Sequence, residues 1–346
     1  MNKGICFVVP VRDSIGGITT WFNLIEKKCI EKDIHYFVIN KGTKNSEKLK
    51  KNFIDKYISP LLLISKQKKQ LKKIRNDVSV LHIATSGGNG LYRDSKLLKL
   101  AKKLGIKTVL HLHYGRLEED YSSNRRKKYF DECIKYCDSI ISIDPKTHEF
   151  LNNNKIDNLF INNPVEIGNY EFNKDSKDFI FVGQIRKEKG VLELLDAFKQ
   201  YSEENSEYSL KFVGPISEEI KEEFLAKCSQ NIRYIGKLSH EETLKEIASS
   251  RCLILPSYTE ASPNVILEAM SLGVPCIANN VGNISNMIID SGIVTINNSV
   301  ETIIKALKDM ENAEKLDEFS RKSYERVKSI YSLDIVINEL LKVWEL

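Results

Sequence analysis

The sequence predicts an α/β protein built from two Rossmann-like, doubly wound parallel-sheet domains that face each other across a cleft. Three observations carry this. The 346 residues are about twice the length of a typical single domain. Short, β-branched apolar runs alternate with helical stretches along the whole chain. Several of those runs are apolar throughout, as strands covered on both faces are.

In the first half, strands are predicted at 5–11, 35–40, 78–84, 107–114 and 139–144. In the second they are predicted at 178–183, 209–214, 232–236, 251–256 and 274–279. Helical periodicity lies between them, for example at 190–204 and 239–250. The stretch 152–178 is rich in Asn and Asp and poor in helical periodicity, which puts a domain boundary there. Domains are therefore expected at 1–165 and 166–331. The final segment, 332–346, reads as an amphipathic helix with Ser332 as its N-cap. Open α/β sheets bind ligands at the carboxyl ends of their strands, so the residues there are the ones to read for chemistry.

Composition narrows the class. Hydrophobic and charged fractions of 42% and 29% are ordinary for a globular protein. The longest apolar run, 58–65, is far short of the ~20 residues that cross a bilayer. The first residues lack signal-peptide architecture and read as a first core strand, so a cytoplasmic location is expected. Seven scattered cysteines with no C-x-x-C read as reduced thiols rather than a metal or redox site. The net charge of +5 hides an asymmetry, with +14 on residues 1–165 and −9 on the remainder. A basic first half suggests an anionic partner: membrane surface, phosphorylated substrate or nucleic acid. No nucleic-acid reading module accompanies the charge, and nucleic acid is set aside.

The strand at 251–256 leads into a loop with Glu260 and then a helix with Ser262 as N-cap and Pro263 at the first position. That helix is apolar on nearly every side except at Glu268 and should stop at Gly273. A carboxylate left unpaired there would be costly. Either Glu268 accepts from ribose hydroxyls of a nucleotide, or it is a structural glutamate bonded to backbone or an arginine. The Glu-x7-Glu spacing does not choose between them.

The strand at 178–183 leads in the same way into Arg186, Lys187 and Lys189, at the start of a helix near Gly190. Three cations there oppose the helix dipole. A bound diphosphate would resolve the conflict, and a solvated basic turn is the alternative. In the first half, Gly16 and Gly17 follow the first strand, where backbone could approach a ligand or simply turn. His111 and His113 share one face of their strand, with His113 nearer its carboxyl end, and read as polar core histidines, metal ligands or a ligand-facing histidine. No third ligand has convincing spacing, and the chain has no Asp-x-Asp.

Taken together, these stretches resemble the family 4 (group 1) retaining glycosyltransferases, which have the GT-B fold. The resemblance is fullest over 179–290 and includes "FVGQIRKEKG", "KFVGP", "IRYIGKLSHEETLKEIASSRCLILPS" and the Glu-x7-Glu segment. It extends more thinly over the Gly-Gly loop and "DVSVLHIATSGGNG…LHLHYG". The last helix is similar to the family's closing helix, which crosses back to the first domain.

The resemblance implies transfer of a sugar from a nucleotide-sugar to an acceptor hydroxyl with retention, without cofactor or divalent metal. It implies that Glu268 holds the ribose and Glu260 the transferred sugar, and that Lys189 neutralises the phosphates. Gly16 and Gly17 would approach the same diphosphate, and His113 would lie near the reacting centre. Gly236, Lys237 and Leu238 would border the base, with Asn264 also on the donor. The donor would be UDP-linked in preference to GDP-linked, and the acceptor a sugar or lipid-linked sugar of a bacterial surface polysaccharide or glycolipid.

Two positions depart from the family. Gln184 stands where an arginine is usual, with Arg186 two residues on as a substitute. Residues 282–286 read Gly-Asn-Ile-Ser-Asn instead of Gly-x-Pro-Glu. The rival readings are a non-catalytic GT-B-like partner subunit, supported by Gln184 alone, and a nucleotide-sugar epimerase, for which no proton-exchanging base is found. The Lys-rich, apolar segment 48–76 reads either as a surface resting on anionic lipid at the inner face of the membrane or as solvated helix faces.

Overall fold

The computed structural model describes residues 3–10, 16–41 and 59–346, and divides into two compact units. The first comprises Met1–Asn163 with Val336–Leu346, and the second Pro164–Ile335.

The first unit holds β1 (Gly4–Val9), β2 (Tyr36–Asn40), β3 (Val78–Thr85), β4 (Lys107–Leu112), β5 (Ser139–Ser142) and β6 (Leu159–Phe160). All pairings are parallel, in the order β2-β1-β3-β4-β5-β6. Every residue of β1 is buried, which explains an apolar run with no alternation. Gly4 lets the edge of β2 close in, because a Cβ there would lie 2.3 Å from the His35 carbonyl oxygen. The helix Gly17–Glu31 buries Trp21, Phe22, Ile25 and Cys29 at helical spacing against the sheet. A buried ion pair, Lys41 Nζ to Asp94 Oδ2 at 2.7 Å, ties the end of β2 to the helix Gly90–Lys103.

The second unit holds β7 (Asp178–Val182), β8 (Ser209–Val213), β9 (Ile232–Gly236), β10 (Cys252–Leu255), β11 (Cys276–Asn279) and β12 (Gly292–Thr295). The order β12-β11-β10-β7-β8-β9 is again wholly parallel. It reverses direction between β7 and β10, so the loops after those two strands flank the switch point where such sheets bind ligands. Buried Arg251 staples the unit, donating to the carbonyls of Met310 and Glu311 at 2.9 Å each and of Lys174 at 3.2 Å. The two sheets with their flanking helices have the GT-B architecture.

All ten predicted strands form, and residue 11 of the first prediction lies outside the described residues. The short β6 and β12, at sheet ends, were not foreseen. Ser262 is not the N-cap of its helix. Pro263 takes that place in an extended conformation, and the helix is Asn264–Ser271. Ser262 is buried and its hydroxyl lies 3.6 Å from Met287 Sδ, so its side chain packs inward instead of capping. The helix does stop at Gly273, whose φ of 73° permits Gly273 N to bond Met270 O and Val274 N to bond Ala269 O. Near the C-terminus, Val165 and Ser332 bridge in parallel, and the helix Leu333–Trp344 follows.

Candidate functional site

The loops at the switch point of the second sheet are held by backbone approaches that only glycine allows. After β7, Lys187–Lys189 form one 3-10 turn, and Gly190, at φ 66°, opens the helix Val191–Glu204. A Cβ on Gly190 would lie 2.1 Å from the carbonyl oxygen of Pro256, at the end of β10. Asn298 Nδ2 donates to that same oxygen at 2.6 Å. Gly282, at φ 58°, lets the chain pass the carbonyls of Glu260 and Ala261, each 2.4 Å from where its Cβ would be. Asn283 N also bonds Ala261 O at 2.7 Å. Gly282 and Asn283, within the stretch that departs from the family pattern, thus shape the Glu260 loop.

These constraints bring Lys189 and Glu260 together, with Lys189 Nζ 2.5 Å from Glu260 Oε1. Buried Ser257 donates to the same oxygen at 2.8 Å. The other two cations of the loop are also paired, Arg186 with Glu188 at 3.7 Å and Lys187 with Glu219 at 2.9 Å. The conflict between three cations and a helix N-terminus is thus met by carboxylates of the chain itself. Gln184 is exposed beside this turn.

Glu268 is 12% exposed, and its partner is neither backbone nor arginine. His240 Nε2 lies 3.2 Å from Glu268 Oε1. His240 opens the helix His240–Ala248, which is fixed by a Ser239–Glu242 capping box. The hydrogen bond to Glu268 raises the His240 pKa above its ordinary value. Burial works against that shift, and the charges of Glu268 and Glu166 reinforce it. Gly236 ends β9, and Lys237 and Leu238 lead from it into this helix. Gly236 is at φ 91°, and its carbonyl accepts from Gly214 N at 2.8 Å. Asn264 is half-buried at the first turn of the Glu268 helix.

His240 and Ser257 were missed from the sequence. Ser257 stands three residues before Glu260, and His240 follows a recognisable cap. Neither spacing announces its partner.

The first unit carries the remaining candidates. Gly16 and Gly17 are exposed where the helix Gly17–Glu31 starts. His113 follows β4 and donates its backbone N–H to Thr85 O at 2.8 Å. Its ring lies 4.0 Å, centroid to centroid, from that of His111. Burial pushes His113 down to about 3, with His82 and Lys41 nearby adding to the shift. These imidazoles are therefore neutral at physiological pH.

The Gly87–Gly88 turn after β3 is also not an open anion nest. Gly87 N donates to Thr85 Oγ1 at 3.2 Å and Gly88 N to Asp120 Oδ2 at 2.6 Å. Among the described residues, no cluster of three or more His, Cys, Asp or Glu could hold a metal ion. No helix among them is long and apolar enough to cross a membrane.

The chain is similar to known proteins over both of its units. The model of the family "Glycosyl transferases group 1" matches residues 163–326. An uncharacterized glycosyltransferase of Haemophilus influenzae is 25% identical over 345 residues, covering 96% of this chain and 88% of its own length. The capsular polysaccharide biosynthesis glycosyltransferase CapH of Staphylococcus aureus is 26% identical over 267 residues, 72% of this chain and 66% of that protein. HepE of Anabaena, solved in complex with UDP-glucose, superposes with a TM-score of 0.76 at 12% identity over 99% of both chains. The second unit thus matches the group 1 glycosyltransferase model over nearly all of its length, and the whole chain is similar to glycosyltransferases.

Proposed function

We propose that this protein transfers a sugar from a nucleotide-diphosphate sugar to an acceptor hydroxyl in the synthesis of a bacterial surface polysaccharide or glycolipid. The observation that carries the reading is the Lys189–Glu260 pair at the switch point of the second sheet, with Glu268 on the helix that follows. Lys189 has further N–H donors for a diphosphate while it keeps Glu260, and Glu260 retains Oε2 for sugar hydroxyls. Glu268 has one oxygen on His240, leaving the other to accept from ribose. Capsular polysaccharide synthesis by the Staphylococcus aureus relative supports the pathway, and the UDP-glucose complex of HepE supports a UDP-linked donor.

Negative charge develops on the leaving diphosphate in such a reaction. Lys189, Arg186 and the amide groups at helix starts stabilise it in place of a divalent cation. Transfer proceeds with retention, the acceptor attacking from the leaving-group face and a phosphate oxygen taking its proton. Glu260 then binds and orients the sugar rather than forming a covalent intermediate. His113, being neutral, serves as a hydrogen-bonding group and not as a cation.

The test is calorimetric titration with UDP and GDP, with and without EDTA, on the parent, Lys189→Ala and Glu268→Ala. Binding of UDP that survives EDTA and weakens in both variants is the expected result. Binding of neither nucleotide, or binding that requires metal and ignores both substitutions, would bring the non-catalytic reading to the front.

A further inference from the structure

The first unit contains a chain of ring hydrogen bonds that the donor site does not explain. Trp344, in the last helix, donates Nε1–H to His82 Nδ1 at 3.0 Å, across 262 residues of sequence. His82 Nε2 in turn lies 3.2 Å from His111 Nδ1. All three side chains are buried. Trp21 stacks on His82 at 5.2 Å and 20°, and presents an edge to His111 at 5.0 Å and to His113 at 5.1 Å. Phe7 closes the cluster, 5.7 Å from His82 and 5.6 Å from Trp344.

The direction of this chain follows from the chemistry of its first member. An indole N–H can only donate. His82 Nδ1 must therefore be an acceptor, and a neutral His82 carries its proton on Nε2. That proton can go only to His111 Nδ1, which must then be an acceptor as well. His111 is left with its proton on Nε2, the nitrogen that meets no protein partner among the described residues. Burial pushes His82 down to about 3 and His111 well below its ordinary value, in keeping with neutral rings throughout.

We propose that Trp344 and His82 are positioning residues that lock His111 in its Nε2–H tautomer and so present a fixed, neutral donor beside His113. One tautomer per ring is enforced because each reversal would face two donors, or two acceptors, across a buried contact. The last helix of the chain thereby sets the proton arrangement at the end of β4. The catalytic consequence rests on the assignment of His113 to the reacting centre, whereas the tautomer assignment does not.

The test needs no nucleotide, so failure of donor binding leaves it intact. Long-range proton–nitrogen NMR on protein labelled at its six histidines reads the tautomer of each ring directly. In the parent protein, His82 and His111 should both be neutral with the proton on Nε2, and should remain so at pH 5, below the ordinary pKa of about 6.5. Trp344→Phe keeps an aromatic ring and removes the donor. In that variant His82 should lose its exclusive Nε2–H signature, and His111 should change with it. A parent spectrum with His111 protonated on Nδ1, or cationic at pH 6.5, overturns the proposal even if the variant does not fold. A folded variant with both tautomers unchanged overturns it equally.

Discussion

Lys189 and Glu260, 71 residues apart in sequence, meet at 2.5 Å between the ends of two neighbouring strands, β7 and β10. Each strand exit alone is an ordinary turn. Their juxtaposition is what makes a polar site, because the strand order reverses between them. Gly190 and Gly282 then let backbone come close enough for the side chains to touch.

Removing one partner of this shielded pair leaves the other without its charge partner. Lys189→Met should therefore destabilise the second unit by about 1–3 kcal/mol, by urea unfolding without ligand. The double variant with Glu260→Gln should recover part of that loss. A double-mutant cycle with coupling indistinguishable from zero would mean that the contact does not form in solution.

Glu268 controls the titration of His240. Because the folded-state pKa of His240 is raised, the pair's contribution to stability is complete below about pH 6.5 and is lost as pH rises through the folded value. His240 is 62% exposed, so solvent screens the effect and its size is small. The measurement is the pH dependence of the His240 ring proton shifts by NMR. Its midpoint should lie above 6.5 in the parent and fall in Glu268→Gln, and an unchanged midpoint would exclude the contact.

Gly190→Ala tests the shape of the turn independently of its charge. Alanine in the left-handed region, with its Cβ driven into the Pro256 carbonyl, should cost about 2 kcal/mol or more. The melting temperature should drop by at least about 4 °C, and nucleotide binding should weaken with it. A variant as stable as the parent would show that the close approach to Pro256 is not maintained.

The basic surface of the first unit has a described part, the helix Ser59–Lys73. Residues 48–58 of the predicted lipid-facing segment lie outside the described residues. On that helix Leu61 and Leu62 are 57% and 65% exposed, and Lys66, Lys69, Lys72 and Lys73 are exposed as well. We propose that this face rests on anionic lipid. The protein should sediment with phosphatidylglycerol vesicles, less at high salt, and hardly at all with phosphatidylcholine. Leu62→Asp should reduce the bound fraction. Equal binding to both lipids, or none, would make the face a solvated one.

The order of strands and helices was determined by the sequence alone, because burial on both faces imposes unbroken apolar runs such as 5–9 and 252–255. It also marked Glu268 as a carboxylate in need of a partner, since the rest of its helix has no polar face. Sequence could not name that partner. His240 lies 28 residues upstream, and the two meet only because their helices pack together. The same holds for Lys189 with Glu260, and more strongly for Trp344 with His82. Periodicity is local, so it specifies elements and their buried faces. Which side chains meet is decided by sheet order and by the return of the last helix to the first unit. Those depend on the summed burial of whole domains rather than on any short stretch.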